Sequence, residues 1–515
     1  MMFWCRKICI QRRGPKGVQL SYSIYNVKRI APPADDLFIK KSLEKNLKAL
    51  TEERILPDII RLKEAVIRTV RELFDLSKSP RHDYDTATSG AHQRNKEIRG
   101  KPVNCKTSSS SIPSLSACYE NPRSKGGALE YLLQKSKLHI DHRYGESILL
   151  GFVSRKDKFC QPVPVYGMLE DWEVEDLLKP SLQGLGGRVV VRREAILEPF
   201  KVRIISKGEA VPYQRCKNYQ PFLWKILQLA ECFELTGRPF EEQDIADVLK
   251  FGKYSWQQTV IISGDYSAAT DNLHPYLCEA ALEEICRLWK IPFEDGLNLM
   301  SCLTKHKIDS REQQIYKTEK FARKATQRVS VLLSEGRVDE AKAAYDEWYD
   351  AVYYGEVDEV DREGFKDQVW GQLMGSFVSF PILCIINAAV TRESMEKAYE
   401  LKIKLTDKAF LVNGDDVLFT IPPSGYGTWV RNVTSSGLTP SVGKNFISRR
   451  YAVINSAIFD CGMRWDWLEE DEIMVKKIPM LYMNLLRSQD ESNERRSGLS
   501  LFVGDELARG GDMES

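Results

Sequence analysis

The sequence predicts a mixed α/β fold of the α+β kind, on three observations. TVIIS (259–263) reads as an apolar strand that runs into Asp265. AFLV and VLFTI flank NGDD (413–416), and Asn413-Gly414 between two apolar runs is a strong hairpin signal because both residues tolerate positive φ. Around these runs, residues 36–77 and 273–289 carry apolar side chains at three- and four-residue spacing, the mark of helices with one buried face.

The chain has 515 residues, enough for two or three domains. Hydrophobic content of 43% with 28% charged residues belongs to a folded chain and excludes a disordered one. With 74 basic against 72 acidic side chains, any attraction to a polyanion has to come from local patches. The 12 cysteines include no CxxC pair, which excludes a disulfide framework or zinc module and suits a reducing compartment. No run reaches the roughly 18 apolar residues of a membrane span.

Residues 1–34 are basic, with no acid before Asp35, and read as a targeting peptide, an RNA-binding arm or a frayed terminus. Two helices are expected over 36–77, and the Ser-rich stretch 78–116 reads as a loop or linker. The strand at 259–263 leads to a helix at 273–289 with Leu277, Ala281, Ile285 and Leu288 on one face. Residues 303–367 read as a charged helical insertion. Its first part, 305–328, has eight basic and three acidic residues, and its second, 339–367, three basic and eleven acidic. Two solvated helices turning at Ser334-Glu335-Gly336 account for it. The divisions that follow are 1–34, 35–258, 259–302, 303–367, 368–459 and 460–515.

Asp415 and Asp416 stand side by side between two apolar runs, at a hairpin tip. Carboxylates this close raise each other's pKa unless a cation compensates; an ordinary turn with both side chains in water is the alternative. Asp265 closes a strand, and Asp271 follows at the start of the next helix, where it could serve as N-cap. An aspartate at a strand end beside a hairpin-tip pair supplies oxygen ligands for two Mg²⁺ ions, which prefer a few carboxylates and complete their shells with water and phosphate. In EPFKVRIISKGEA (198–210), Lys201 and Arg203 alternate along a strand and so share a face suited to a triphosphate, with Lys207 further on. Nine basic and three acidic residues between Arg188 and Lys225 make this the chain's basic patch.

Seven such stretches occur in the order found in right-hand viral RNA-dependent RNA polymerases, and the sequence most resembles the ourmiavirus and narnavirus (botourmiavirus-like) group. SACYENPRSKGGA (116–128) resembles the motif where the template enters, and EPFKVRIISKGEA the fingers motif where nucleotides enter. GDYSAATDNL (264–273), GQLMGSFVSFPILCIIN (371–387), NGDD, GLTPSVGKNFIS (437–448) and YAVINSAIF (451–459) resemble the five palm motifs.

The resemblance implies fingers, a palm with a small antiparallel sheet, and a thumb that is short or truncated, since only 56 residues follow Phe459. It implies RNA-templated synthesis of RNA from ribonucleoside triphosphates by two-metal transfer, replicating a positive-strand RNA genome; the partners are template, nascent RNA and nucleotides. The cofactor is two Mg²⁺ ions, with Mn²⁺ able to substitute. Asp265 and Asp415 would bind the metals, with Asp416 alongside as the more replaceable ligand and the Tyr266 carbonyl adding to the set. Lys444 would protonate pyrophosphate. Lys201, Arg203 and Lys207 would hold the triphosphate. Asp271 would sense the ribose 2′-hydroxyl with Ser379, Asn387 or both, the eight-residue spacing of that pair leaving the choice open. Gly126, Gly127, Gly375 and Ser376 would lie along the template. The host cytoplasm is the expected compartment, with the mitochondrion an alternative read from the basic terminus. A reverse transcriptase and a non-catalytic RNA-binding palm protein are the competing readings.

Overall fold

Residues 36–54, 59–79, 98–99, 101–105, 113–135, 148–153, 163–167, 188–198, 201–234, 236, 238, 241–253, 259–310, 328–329, 331–344, 364–441, 445–462 and 474–479 are described by the computed structural model. The basic segment 1–34, much of the charged insertion and the polar tail from 480 onward lie outside the described residues.

Helices α1 (Asp36–Thr51) and α2 (Ile60–Lys78) begin the described chain, and α3 (Gly127–Lys135) follows a 3₁₀ turn. Strands β1 (Ile148–Val153) and β2 (Val163–Gly167) form a two-stranded sheet. Strands β3 (Val189–Glu198) and β4 (Lys201–Gly208) form a long antiparallel hairpin. Next come α4 (Ala210–Gln228), α5 (Glu242–Lys253), β5 (Val260–Gly264), β6 (Tyr266–Ser267) and the single-turn α6 (Ala269–Asn272). Helices α7 (Pro275–Leu288) and α8 (Phe293–Thr304) lead to β7 (His306–Asp309). After the insertion come β8 (Phe365–Asp367), α9 (Ser379–Tyr399), β9 (Phe410–Asn413), β10 (Asp416–Ile421) and α10 (Pro423–Ser435). Short strands β11 (Thr439–Pro440), β12 (Phe446–Ser448), β13 (Tyr451–Ile454), β14 (Ala457–Asp460) and β15 (Lys476–Ile478) close it.

The centre is a four-stranded antiparallel sheet in the order β12-β5-β10-β9. Strands β5, β9 and β10 are mostly apolar because both of their faces are covered, with Ser263, Asn413, Asp416 and Thr420 the polar positions, while the edge strand β12 is partly exposed. Val260, Ile262, Phe410, Val412, Val417 and Phe419 belong to the main core, under α7, α9 and α10. The alternate residues Ile261, Leu411 and Leu418 join a second cluster with Ile245, Val248 and Leu249 of α5 and Ala452, Ile454 and Phe459 of β13 and β14. The period of two that sends neighbours to opposite faces thus feeds two cores from one sheet. A second sheet, β4-β3-β7-β8, carries the basic strands and pairs β3 with β7 in parallel.

Helix α9 is apolar nearly all round and is buried from Ser379 through Glu396 except at Phe380 and Glu393, as a core helix must be. Pro381 sits in its first turn, where the missing N–H has no partner to lose. The buried Arg392 on α9 is held by Glu72 and by the Thr69 hydroxyl of α2. The amphipathic stripe expected on α2 is present: Leu62, Ala65, Val66, Thr69, Val70 and Leu73 are buried. Within the insertion, a turn at Glu335 and Gly336, with Gly336 at φ +74, separates two helical pieces as expected. Among the described residues no helix is long and apolar enough to cross a membrane.

His306 on β7 connects the second sheet to the segment before α9. Its Nδ1 lies 2.7 Å from Gln368 Oε1 and its Nε2 3.2 Å from the Tyr213 hydroxyl. Gln368 Nε2 donates to the Trp370 and Gly371 carbonyls at 3.1 and 2.9 Å, so its oxygen faces the ring. Nδ1 therefore donates and Nε2 accepts from Tyr213, which is the neutral imidazole. Burial pushes this imidazole down from 6.5 to about 4. The unfolded chain takes up the proton first, so the stabilisation is complete above the unfolded value and is lost as pH falls towards the folded one. Denaturant unfolding at pH 7 and pH 5 should differ by about 2 kcal/mol on account of this residue, and His306→Gln should remove that increment.

Candidate active site

A cavity of about 420 Å³ opens where the carboxyl end of β5, the β9–β10 turn, the amino end of α9 and strand β4 meet. Asp265, Asp415, Arg203, Asp271 and Ser379 all line it. The register explains how the first two meet: Gly264 pairs with Val417, which leaves Asp265 just past the end of β5 and Asp415 in the turn that precedes β10.

The turn itself sits one residue later than the sequence suggests. Asn413 pairs with Asp416 as the last ladder pair, so the two loop residues are Gly414 and Asp415. Gly414 has φ +67 and neither Asn413 nor Asp415 has positive φ, the pattern of a hairpin turn with glycine first. The two aspartates then part company. Asp415 lines the cavity, whereas Asp416 begins β10, and its Oδ2 accepts the Asn455 N–H at 3.2 Å from the β13–β14 turn.

Both carboxylate-bearing segments are held by side chains that take the backbone's polar groups. Asn445 accepts the Asp265 N–H at 3.2 Å and donates to the Asp265 carbonyl at 2.9 Å. Cys384 Sγ accepts the Gly414 N–H at 3.2 Å, and Asn387 Nδ2 donates to the Gly414 carbonyl at 3.0 Å. Burial pushes the Cys384 thiol up to about 12, so it acts as a neutral thiol. The Tyr266 hydroxyl donates to Asn387 Oδ1 at 2.9 Å, and burial raises that phenol well above its ordinary value, so it stays protonated. A Cβ on Gly414 would approach Phe380 to 3.1 Å. Phe380, Cys384 and Asn387, spaced along one face of α9, thus seat the hairpin tip.

Several expectations are corrected by this geometry. Asn387 is fully buried with its amide committed to Gly414 and Tyr266, and it does not line the cavity; of the two sugar-reading candidates only Ser379 does. Asp271 is not an N-cap: it lies inside α6, and α7 is capped by His274, whose Nδ1 accepts the Tyr276 N–H at 3.3 Å. Lys207 is paired with Glu194 and faces a different cavity, of about 820 Å³. Four residues of strand put it roughly 13 Å from Arg203. Arg203 is exposed on the wall of the first cavity; the side chain of Lys201 and the whole of Lys444 lie outside the described residues.

Asp271 Oδ2 accepts from Asn46 Nδ2 at 2.8 Å. Its burial raises the carboxyl above the usual range, against the lowering effect of Asn46, Thr270, Arg193 and Arg54. Gly375 has φ +130, and a Cβ there would come within 2.3 Å of the Ser206 carbonyl oxygen. Ser206 ties β4 to this loop, its N–H donating to the Met374 carbonyl at 2.7 Å and its hydroxyl at 3.1 Å. The Ser376 hydroxyl is buried beside the first cavity and makes no hydrogen bond among the described residues. Gly126 and Gly127, at φ +88 and +59, shape the turn into α3 but line neither cavity. A Cβ on Gly127 would come within 2.2 Å of the Ser116 carbonyl oxygen.

Asp265, Asp415 and the backbone at Tyr266 supply oxygen donors, and no histidine or cysteine lines the first cavity. Among the described residues no group of three or more His, Cys, Asp or Glu is placed to hold a metal. A hard divalent ion that keeps most of its water needs only one or two carboxylates, so this donor set fits such an ion completed by a substrate phosphate and does not fit an all-protein cage. Asn46, Cys384 and Asn445 were absent from the sequence reading. Asn445 stood within the quoted GLTPSVGKNFIS; Asn46 lies far away in sequence with no local signal.

No family model matches the chain. The chain is 33% identical over 509 residues to the RNA-dependent RNA polymerase of Ourmia melon virus (isolate Melon/Iran/VE9), a match covering 98% of this chain and 51% of that protein. The resemblance read from the motifs is thus matched by similarity along nearly the whole chain, which spans about half the length of this curated relative. Two similar solved structures are RNA-dependent RNA polymerases of a human picorbirnavirus. One, an insertion-loop deletion mutant, has a TM-score of 0.46 at 9% identity, covering 88% of this chain and 71% of that chain. The other has a TM-score of 0.45 at 10% identity, covering 86% and 65%.

The seat of the hairpin tip gives a graded stability test. Tyr266→Phe deletes one hydrogen bond and should cost about 1 kcal/mol. Asn387→Leu also leaves the buried Gly414 carbonyl without its donor and should cost about 2–4 kcal/mol in denaturant unfolding.

Proposed function

We propose that the chain carries the catalytic core of an RNA-directed RNA polymerase, which extends RNA on an RNA template from ribonucleoside triphosphates in the replication of a positive-strand RNA virus. The observation that carries this reading is the meeting of Asp265 and Asp415, distant in sequence, on the wall of one cavity that also takes Arg203 and Asp271. Similarity to a viral polymerase over 98% of the chain supports it. In this reading the fingers fall within 35–258 and the palm within 259–302 and 368–459, separated by the charged insertion 303–367. The host cytoplasm is the compartment that follows; the mitochondrial alternative rests only on residues 1–34 and is not carried forward.

Arg203, with Lys201 on the same strand face, binds the triphosphate and neutralises its charge. Asp265 and Asp415 would hold the divalent ions, with the Tyr266 carbonyl and Asp416 alongside. The chemistry two Mg²⁺ ions, or Mn²⁺ in their place, would supply there is an easier loss of the primer 3′-hydroxyl proton to solvent and compensation of charge on the departing pyrophosphate. The primer 3′-oxygen forms its bond to the α-phosphorus in line with the breaking bond to the bridging oxygen, so one nucleotide is added and pyrophosphate leaves. Lys444 delivers a proton to the pyrophosphate as general acid. Asp271 and Ser379 meet the ribose, and Gly375 with Ser376, and Gly126 with Gly127, border the template.

Primer extension on a primed RNA template with Mg²⁺ or Mn²⁺, with ATP and dATP compared, tests the proposal. Templated extension that prefers ATP is expected; preference for dATP would instead make the chain a reverse transcriptase. Asp265→Asn and Asp415→Asn should each slow extension on the order of a thousandfold, about 4 kcal/mol in the barrier. Asp416→Asn should cost roughly tenfold, as its carboxylate is turned to the Asn455 N–H. Extension by Asp415→Asn at the unaltered rate would overturn the metal role given to Asp415, whereas RNA binding without any extension by the unaltered chain would leave a non-catalytic RNA-binding protein.

A further inference from the structure

With Asn387 committed to the hairpin tip, Asp271 must find its orienting partner elsewhere, and it does so in the first described helix. Asn46 on α1 is 6% exposed and donates through Nδ2 to Asp271 Oδ2 at 2.8 Å. Which way the Asn46 amide points is settled by Arg193 on β3, itself 4% exposed, whose guanidinium donates to Asn46 Oδ1 at 3.1 Å. A guanidinium can only donate, so the amide oxygen faces Arg193 and the amide nitrogen has to face Asp271. The same guanidinium nitrogen donates to the Leu43 carbonyl at 2.8 Å and fixes the α1 backbone beside it. The neighbouring Arg54 completes the attachment of this region, donating to Asn272 Oδ1 at 3.2 Å and to the Ala49 carbonyl at 2.8 Å.

We propose that Asn46 is a positioning residue for sugar selection: by holding one oxygen of Asp271, it aims the other lone pairs of that carboxylate at the ribose in the cavity that Asp271 lines. This inference rests on the polymerase reading above. The physical ground is that a carboxylate free to rotate about its last bond accepts a hydroxyl hydrogen bond in many poses. One pinned by a directed N–H accepts it in few, and only a substrate carrying that hydroxyl gains from the pinning. Thr270 donates to the remaining oxygen, Oδ1, only at the longer 3.3 Å. An element outside the five palm-like motifs would thereby set which sugar is accepted.

The test is competition of ATP against dATP in single-nucleotide primer extension, with the unaltered full chain, Asn46→Ala and the milder Asn46→Ser. Both nucleotides compete for the same enzyme molecules, so the ratio is independent of the fraction that is folded. Asn46→Ala should lower ATP-over-dATP discrimination roughly tenfold, through loss of kcat/KM for ATP with that for dATP nearly unchanged. Asn46→Ser should fall between. A lowered melting temperature with an unaltered ratio in either variant would overturn the inference and leave Asn46 as an anchor for α1. Failure of the polymerase reading is told apart because the unaltered chain would then show no templated incorporation at all.

Discussion

The arrangement depends on how the peptide groups at Gly414 and Asp265 are satisfied. Both lie where a strand stops, and a stopping strand leaves N–H and C=O groups without a ladder partner. Asn445 takes both groups of Asp265, whose carbonyl also accepts the Ser441 N–H at 2.8 Å just past β11, and Cys384 with Asn387 divides those of Gly414. At Gly414 a further strand would have satisfied the same groups but filled the space the carboxylates now face. Side-chain partners close the backbone's account and leave the cavity wall open. An unpaired buried peptide group costs about 1–3 kcal/mol, so these few contacts decide whether the two aspartates face one another at all.

The scaffold behind them is stiffened by charges spent on each other. Arg238 sits between Glu234 and Asp244, Arg99 bonds to Glu234, and Arg68 binds Glu396 in two places. Glu396 also accepts the Ile403 N–H at 2.8 Å, and Glu72, the partner of Arg392, accepts that of Leu405 at 2.7 Å. The loop after α9 is therefore tied to α2 and α9 through carboxylates that already hold arginines. A buried ion pair is weak evidence of net stability, but breaking one partner out of such a set is costly. Helix α9, which carries Phe380, Cys384 and Asn387, gains a fixed axial position from them.

Much of this was legible in the sequence because it is local. The strand at 259–263, the hairpin around 414 and the stripe on α2 follow from periods of two and of three to four, which need no knowledge of the rest of the chain. Asp265 and Asp415 were legible as strand-end and turn residues. What depended on distance in space was not. Ser379 and Asn387 share a helix face, yet their eight-residue spacing puts Asn387 roughly 12 Å deeper, beneath the hairpin and away from the cavity. Lys207 shares a strand face with Arg203 and still meets another cavity. Asp271 looked like the start of a long helix because the break at Leu273 and His274 has no glycine or proline until Pro275. Asn46 could not have been found: its partner is 225 residues away.

Gly375 borders both the 420 Å³ and the 820 Å³ spaces, and Ser206 opposite it binds the Met374 carbonyl from two atoms. The peptide at 374–375 is therefore a partition between two chambers, with β4 fastened to it. A shift of that one shared backbone position would alter both spaces at once, and β4, bonded to it at Ser206, carries Arg203 towards one and Lys207 towards the other. The partition stands at a backbone position where a side chain has no room.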